Sequence, residues 1–213
     1  MPSTINELTV QNLQQMTYYE AQVSAVLNRI EGAKSDLILQ KTRVSAPVLD
    51  IYFYGATYLT GIGTAGDNIV NCRIFKHGST AAFATGTMTG EVLKIYLTGN
   101  ANIVPGELYD VCVLDGRSGT TIIEGMRTTF KVEIPTISIN PVTTTQKIVS
   151  GVTAKNIQVR ISQNGTAKTV IWSDAETGAY TWNISPVAIG DMVKVETKVG
   201  TVYSSSAEYK VVV

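Results

Sequence analysis

From residue 48 onward, short runs of apolar residues alternate with polar ones at a period of two, and clusters of Gly, Asn, Asp and Pro separate the runs. This period places successive side chains on opposite faces of a strand, and the clusters supply turns. Because no helical pattern lies between the short strands, the sequence predicts an antiparallel sandwich or barrel. In the first part of the region we predict strands at residues 48–54, 69–75, 91–97, 108–114, 122–124 and 128–134.

A second β unit follows a segment bracketed by Pro135 and Pro141, a composition typical of an extended linker or a first strand. Within this unit Asn164-Gly165 is the strongest short-range signal for a hairpin. The remaining alternation predicts about seven short strands, which suits a small Ig-like sandwich. We therefore expect one β-sandwich domain at residues 44–136 and an Ig-like one at residues 137–213.

Residues 1–43 differ in composition, since they are rich in Gln, Asn, Glu and Leu and contain a single glycine. Apolar residues recur there at alternating spacings of three and four, which predicts an α-helix with one apolar stripe. The stripe consists of Met16, Tyr19, Val23, Val26, Ile30, Ala33 and Leu37. Two alternatives stay open: a self-associating helix, with a trimer favoured, and an amphipathic helix packed on the strands. The expected fold is mainly β, with an N-terminal α-helical segment before two antiparallel Ig-like β-sandwich domains.

The inventory of reactive residues is small. Lys and Arg number 17, as do Asp and Glu, so charge gives no reason to expect a nucleic-acid partner. No apolar run approaches the ~20 residues of a membrane helix. The one histidine, His77, lies in a turn without a nucleophile pattern, and no residues have metal-ligand spacing. We therefore expect no enzymatic activity, no metal and no cofactor.

Two further features concern single side chains. Cys72 and Cys112 lie on predicted strands, but alternation turns Cys72 inward and Cys112 outward, which favours two free thiols over a bridge between sheets. Trp172 lies near the end of a predicted hairpin and is the candidate for contact with carbohydrate.

Several motifs in the last third of the chain recur in one order. They are IVSGVT at 148–153, NIQVRI at 156–161, DAETGAYTWNI at 174–184 and VAIGDMVKV at 187–195. This order resembles the bacterial Ig-like repeats of surface adhesins and phage appendages. In the middle of the chain, NIVNCRIF at 68–75, PGELYDV at 105–111 and FKV at 130–132 resemble the N-terminal sandwich of phage upper-baseplate proteins.

These resemblances imply a non-catalytic structural or adhesive subunit of a phage particle, such as a tail, baseplate or head-fibre appendage. Its helix would serve assembly with further copies and other virion proteins, and its sandwiches would act as spacers or host contacts. The opening residues lack the basic region of a signal peptide, which suits a virion protein assembled in the host cytoplasm. The alternative is a bacterial cell-surface adhesin or glycan-binding module without its leader.

Overall fold

The regular structure of the described residues is entirely β. The computed structural model describes residues 9–116 and 121–213, and it assigns 51% of the chain to strand and 0% to helix. The expected N-terminal helix is therefore wrong for the described part of residues 1–43, and its first eight residues lie outside that part. None of the described residues forms a helix that is long and apolar enough to cross a membrane.

Residues 18–41 form a two-stranded antiparallel ribbon, which we call the arm. Two strand pairs are nested along it: β1 with β4 near the base and β2 with β3 near the tip. At the tip Asn28 and Arg29 have φ values of 49° and 68°, and they join the paired residues Leu27 and Ile30 as a two-residue turn. The strands are β1 (Tyr18–Ala21), β2 (Ser24–Leu27), β3 (Ile30–Lys34) and β4 (Ile38–Lys41).

The physical reason for the error is that several apolar residues of the expected stripe also suit extended structure. Val23, Val26 and Ile30 are β-branched and lose χ1 freedom in a helix, and Gly32 weakens a helix interior. Once the chain reverses at Asn28, residues on the two sides of the turn pair across strands instead of stacking along one helix face. Val26 lies opposite Glu31 and Leu27 opposite Ile30, so the ribbon has no heptad stripe.

The middle of the chain forms one curled sheet of eight strands. They are β5 (Val48–Leu49), β6 (Tyr58–Ile62), β7 (Asn71–Lys76), β8 (Ala82–Thr89), β9 (Val92–Tyr96), β10 (Leu108–Asp115), β11 (Ile123–Glu124) and β12 (Thr128–Lys131). Their order is β11-β10-β7-β8-β9-β6-β5, and β12 also pairs with β10. The two ends of the sheet meet just after β5 and β12. There Phe53 forms a β-bridge with Glu133, and the Tyr54 amide donates to the Glu133 carbonyl at 2.8 Å.

The curled sheet encloses the first hydrophobic core. The largest of its fully buried side chains are Leu59, Ile74, Leu93, Ile95 and Tyr109. Met16, just before the arm, packs against this core and anchors the base of the arm. A 2.5 Å ion pair between Lys41 Nζ and Asp115 Oδ2 ties the other side of the base to β10.

The last part of the chain forms two sheets that face each other. Its strands are β13 (Ile148–Val152), β14 (Gln158–Gln163), β15 (Thr166–Trp172), β16 (Ala179–Asn183), β17 (Met192–Val199) and β18 (Val202–Lys210). β13 pairs with β16, and the other four have the order β15-β14-β17-β18. Asn164 and Gly165 form the predicted two-residue turn, with φ values of 50° and 78°. The resulting Ig-like sandwich encloses a second core, which includes Val149, Val159, Ile161, Tyr180, Val193 and Val195.

The two β units touch where a glycine of the first meets a hairpin of the second. A Cβ at Gly55, whose φ is +95°, would lie 2.6 Å from the Val199 carbonyl oxygen and 2.9 Å from Val202 Cβ. The bend that follows β17 therefore approaches the backbone of Gly55 directly. Only a residue without a side chain allows this approach.

Candidate binding face

The outer side of the four-stranded sheet carries a row of side chains, one from each strand. Trp172 of β15 lies opposite Gln158 of β14, Gln158 lies opposite Lys198 of β17, and Lys198 lies opposite Tyr203 of β18. We call this row, with the adjacent Arg160, the Trp172 face. Since neighbouring strands lie ~4.8 Å apart, the two aromatic rings stand roughly 14 Å from each other across the sheet.

Alternation along each strand explains why these residues face outward. In β14 Val159 and Ile161 are fully buried in the second core, which turns Gln158 and Arg160 to the other side. The same pattern in β15 places Ile171 against the core and leaves Trp172 60% exposed. Trp172 thus offers its indole to solvent from an edge strand.

Ionic and aromatic contacts hold the centre of the face. The Arg160 guanidinium donates to Glu196 Oε2, at 2.8 Å from Nε, and it stacks 3.9 Å from the Tyr203 ring centroid. Lys194 Nζ lies 3.1 Å from Glu196 Oε1. Arg160 is therefore fixed between a carboxylate and an aromatic ring, and it presents a preorganised cation next to the row.

These contacts shift the protonation equilibria of the pair. Burial alone would raise the pKa of Glu196, but hydrogen bonds from Arg160 and Lys194 outweigh it and hold that pKa below its ordinary value. The hydrogen bond to Glu196 raises the pKa of Arg160. Both groups stay charged near neutral pH, and the single negative charge of Glu196 offsets one of the two positive charges of Arg160 and Lys194. Lys198 has no salt bridge within the described residues, so it adds an available cation to the row.

A second exposed aromatic pair lies in the middle unit. Tyr58 and Tyr96 face each other on β6 and β9, with ring centroids 5.5 Å apart, and Lys94 Nζ lies 4.0 Å from the Tyr58 ring. These contacts already occupy part of the Tyr58 ring. No ring or cation contact of this kind covers Trp172 in the described chain, which leaves its indole open to a ligand.

The predicted site residues are therefore found in three places. Trp172 lies on the face described above. Val23, Val26, Ile30 and Leu37 lie exposed on the arm, Tyr19 lies at its base, and Met16 packs against the first core. Gln158, Arg160, Lys198 and Tyr203 were missed as partners of Trp172, although the alternating pattern of their strands already placed the first three on one side.

His77 belongs to a structural cluster around a buried carboxylate. Its Nδ1 lies 2.8 Å from Asp110 Oδ1, which also accepts a 2.7 Å hydrogen bond from the Thr129 hydroxyl. The Gly78 amide donates to Asp110 Oδ2 at 3.2 Å. The nearby Ser79 hydroxyl accepts from the Ala81 amide and donates to the Ala81 carbonyl. The described residues thus show His77 pairing with Asp110, with Ser79 engaged elsewhere.

The two cysteines are free and lie on opposite sides of the curled sheet, as the alternation predicts. Cys72 is fully buried in the first core, and Cys112 is fully buried with Phe75 and Leu114 on the other side. Burial raises the pKa of the Cys72 thiol to about 12 and that of the Cys112 thiol to about 11. Both sulfurs remain protonated and inert near neutral pH.

Comparison with known proteins gives only distant structural similarities. No protein-family model matches the sequence, and no curated protein matches it. Among solved structures, the BSP domain of a biofilm-associated protein is 14% identical with a TM-score of 0.34, over 79% of this chain and 29% of that one. A calcium-stabilised adhesin with which an Antarctic bacterium binds ice is 12% identical, TM-score 0.34, over 92% and 55% of the two chains.

The human OSCAR ligand-binding domain is 13% identical with a TM-score of 0.40, over 79% of this chain and 100% of that domain. This chain spans less than two thirds of the biofilm-associated and the ice-binding structures. With TM-scores below 0.5, these similarities assign no ligand and no function. The β-sandwich architecture itself rests on the two-sheet packing described above.

Proposed function

We propose that the chain is a non-catalytic adhesive module of a cell surface, and that its Trp172 face binds a polysaccharide. The carrying observation is the position of Trp172 in one row with Gln158, Lys198 and Tyr203. An indole with an open face packs against the C–H face of a sugar ring, and its neighbours supply hydrogen-bond donors. Arg160 covers one face of the Tyr203 ring, so Trp172 is the open ring and Tyr203 marks the far end of the row. Because the two ends stand roughly 14 Å apart, a ligand that reaches both is an oligomer or polymer.

The charges on the face favour an anionic polymer. Glu196 offsets only one of the two positive charges of Arg160 and Lys194, and Lys198 has no such carboxylate in the described residues. Lys198 lies in the row between the two rings, where a sugar carboxylate would reach it. A uronic-acid polymer combines ring faces with carboxylates and therefore matches the face better than a neutral glucan does.

A binding titration tests the proposal. Alginate, a uronate polymer, is titrated against the full chain and followed by calorimetry, with dextran as the neutral comparison. We expect saturable binding of alginate, which weakens at least about tenfold in Trp172→Ala, or about 1.4 kcal/mol. Lys198→Ala weakens the binding of alginate and makes it less dependent on salt, since it removes the charged contact.

The matched control is Tyr96→Ala, since Tyr96 is another exposed aromatic, and its neighbour Tyr58 lies against a lysine, Lys94. This variant retains full affinity if the Trp172 face is the site. Circular dichroism confirms that each variant keeps its β structure. A loss of binding in Tyr96→Ala with full binding in Trp172→Ala overturns the assignment to this face, and binding to neither polymer overturns the proposed ligand.

The exposed apolar arm favours a second candidate, a subunit of a phage particle. Such a subunit would use the arm for assembly and its sandwiches as spacers or host contacts. Both candidates are adhesive, and they differ in what surrounds the chain. Genes for tail or capsid proteins on both sides of the coding sequence would favour the particle, whereas a surface-sorting signal in the full-length gene would favour the cell-surface module.

A further inference from the structure

The arm exposes more large apolar side chains than a ribbon in water tolerates. Eight of them are between 53% and 75% exposed. They occur on both strands of the ribbon and along its whole length. Packing one face of the arm onto the rest of the chain would therefore bury only some of them. The eight are Tyr18, Val23, Val26, Leu27, Ile30, Leu37, Ile38 and Leu39.

Beyond its anchored base, the arm has no further strand beside it in the described part of the chain. Among residues 9–116 and 121–213, β1 pairs with β4 alone and β2 with β3 alone, so each strand keeps one edge of backbone groups without a strand partner there. An isolated two-stranded hairpin is marginally stable at best in water. Unpaired edges and exposed apolar side chains together mark a surface that another chain covers.

The area of this surface reaches that of a specific interface. A buried large apolar side chain removes roughly 100 Å² from water, and the exposed fractions of the eight add up to about five whole side chains, so the eight offer on the order of 500 Å². A specific protein interface buries at least about 1,000 Å² in total. A partner that covers the arm and contributes an equal apolar area therefore reaches this size.

The charges of the arm identify the kind of partner. Glu20, Glu31 and Asp36 are matched by Arg29, Lys34 and Lys41, so the arm carries no net charge. The two signs are mixed along the ribbon, which suits a partner with the same mixture and gives no attraction for a strongly charged one. An identical arm meets this condition and also supplies an equal apolar area.

We propose that the arm is a self-association element that packs against the arm of a second copy of this chain. Since each copy offers the same surface, the contact is isologous and produces a two-fold dimer. The trimer expected from the sequence relied on a heptad stripe that the ribbon does not have. The proposal is independent of polysaccharide binding, which involves the other end of the chain.

Sedimentation of the full chain over a range of concentrations tests the proposal. We expect a dimer that dissociates on dilution, and at least a tenfold weaker dimer when Leu27→Lys and Ile30→Lys are combined at the tip. The control is Ile189→Lys, which places the same charge at a residue that is exposed to a similar degree (64%) in a turn of the last unit. It leaves the dimer unchanged.

Cross-linking gives a second measurement that does not depend on the stability of a variant. Both native thiols are buried, so Val26→Cys introduces the exposed thiol among the described residues. Oxidation links two copies of Val26→Cys but not of Ile189→Cys. A chain that stays monomeric up to about 1 mM, where association would supply only about 4 kcal/mol, overturns the proposal. A dimer that the combined Leu27→Lys and Ile30→Lys substitutions do not weaken also overturns it.

Discussion

At the scale of single residues, the buried carboxylate of Asp110 shows how tertiary contacts set local chemistry. The residue is only 5% exposed and accepts hydrogen bonds from His77, Thr129 and Gly78. Burial alone would raise the pKa of Asp110, but these three donors outweigh it and hold the pKa below its ordinary value. The ionised carboxylate therefore stabilises the fold.

We expect Asp110→Asn to lower the free energy of unfolding by about 1–3 kcal/mol at neutral pH, because it removes an ionised acceptor from three donors. A pKa that is lower in the folded state means that the stabilisation is complete above the ordinary pKa and disappears as pH falls through the folded one. The difference between wild type and variant should therefore shrink below about pH 4. Urea unfolding at several pH values measures it.

The control for this series is Asp36→Asn, a change at an exposed carboxylate of the arm. Its effect on the free energy of unfolding should be within about 0.5 kcal/mol, as for most surface substitutions. If the destabilisation by Asp110→Asn were the same at pH 3 and pH 7, its carboxylate would not be the source of the stabilisation.

The side of the sheet on which a side chain lies was predictable from the sequence, but its partners in the tertiary structure were not. Alternation along one strand placed Cys72 inward, and alternation along another turned Cys112 away, as the structure shows. The pairing of His77 with Asp110 joins residues 33 positions apart, and only the register of β10 against β7 brings them together. Spacing within one strand does not predict how two strands far apart in the sequence align with each other.

Among the elements, the residues of a hairpin turn determine whether the sequence pattern predicts the hairpin correctly. Asn164-Gly165 carries its own signal, since both residues need positive φ and Asn-Gly accepts it. Asn28-Arg29 makes the same kind of turn with arginine at φ 68°, a conformation that few side chains favour. Because no glycine marks a turn at residues 28 and 29, the apolar spacings of three and four predicted a continuous helix there, whereas the chain folds back on itself.

Strands with interior glycines were also missed. β6 contains Gly61 and β8 contains Gly86, and both strands lie inside the curled sheet. Glycine ordinarily weakens a strand, so alternation-based reasoning placed loops there. In the structure each glycine lies where a Cβ would collide with a neighbouring backbone carbonyl, that of Val48 for Gly61 and that of Lys94 for Gly86. Tertiary packing thus overrides local propensity at both strands.

The turn of the arm provides a test at this scale. Arg29→Gly should stabilise the arm by up to about 1 kcal/mol, since the left-handed conformation costs an L residue about 1–2 kcal/mol and glycine loses only about 0.5–1 kcal/mol of this relief to backbone entropy. Hydrogen exchange measures it: arm amides should exchange more slowly in the variant. Arg29→Val should have the opposite effect, because a β-branched residue is disfavoured at positive φ. Unchanged exchange in both variants would show that the turn does not limit the stability of the arm.

At the scale of the whole molecule, the chain consists of two β units with separate interiors. One hydrophobic cluster lies within residues 44–132 and the other within residues 142–211. They approach each other at Gly55, which meets the hairpin of β17 and β18. This arrangement leaves the arm and the Trp172 face, which lie in different parts of the chain, available to separate partners.

Separate interiors lead to a calorimetric prediction. If each unit unfolds on its own core, Ile161→Ala destabilises the last unit by about 2–5 kcal/mol, and Ile74→Ala destabilises the middle unit by a similar amount, since each removes fully buried methylene groups. Scanning calorimetry of the full chain should show two transitions, each of which one variant lowers while leaving the other in place. Ile189→Ala, at an exposed residue, should lower neither. One transition that both core variants lower equally would mean that the contact at Gly55 couples the two units into a single cooperative fold.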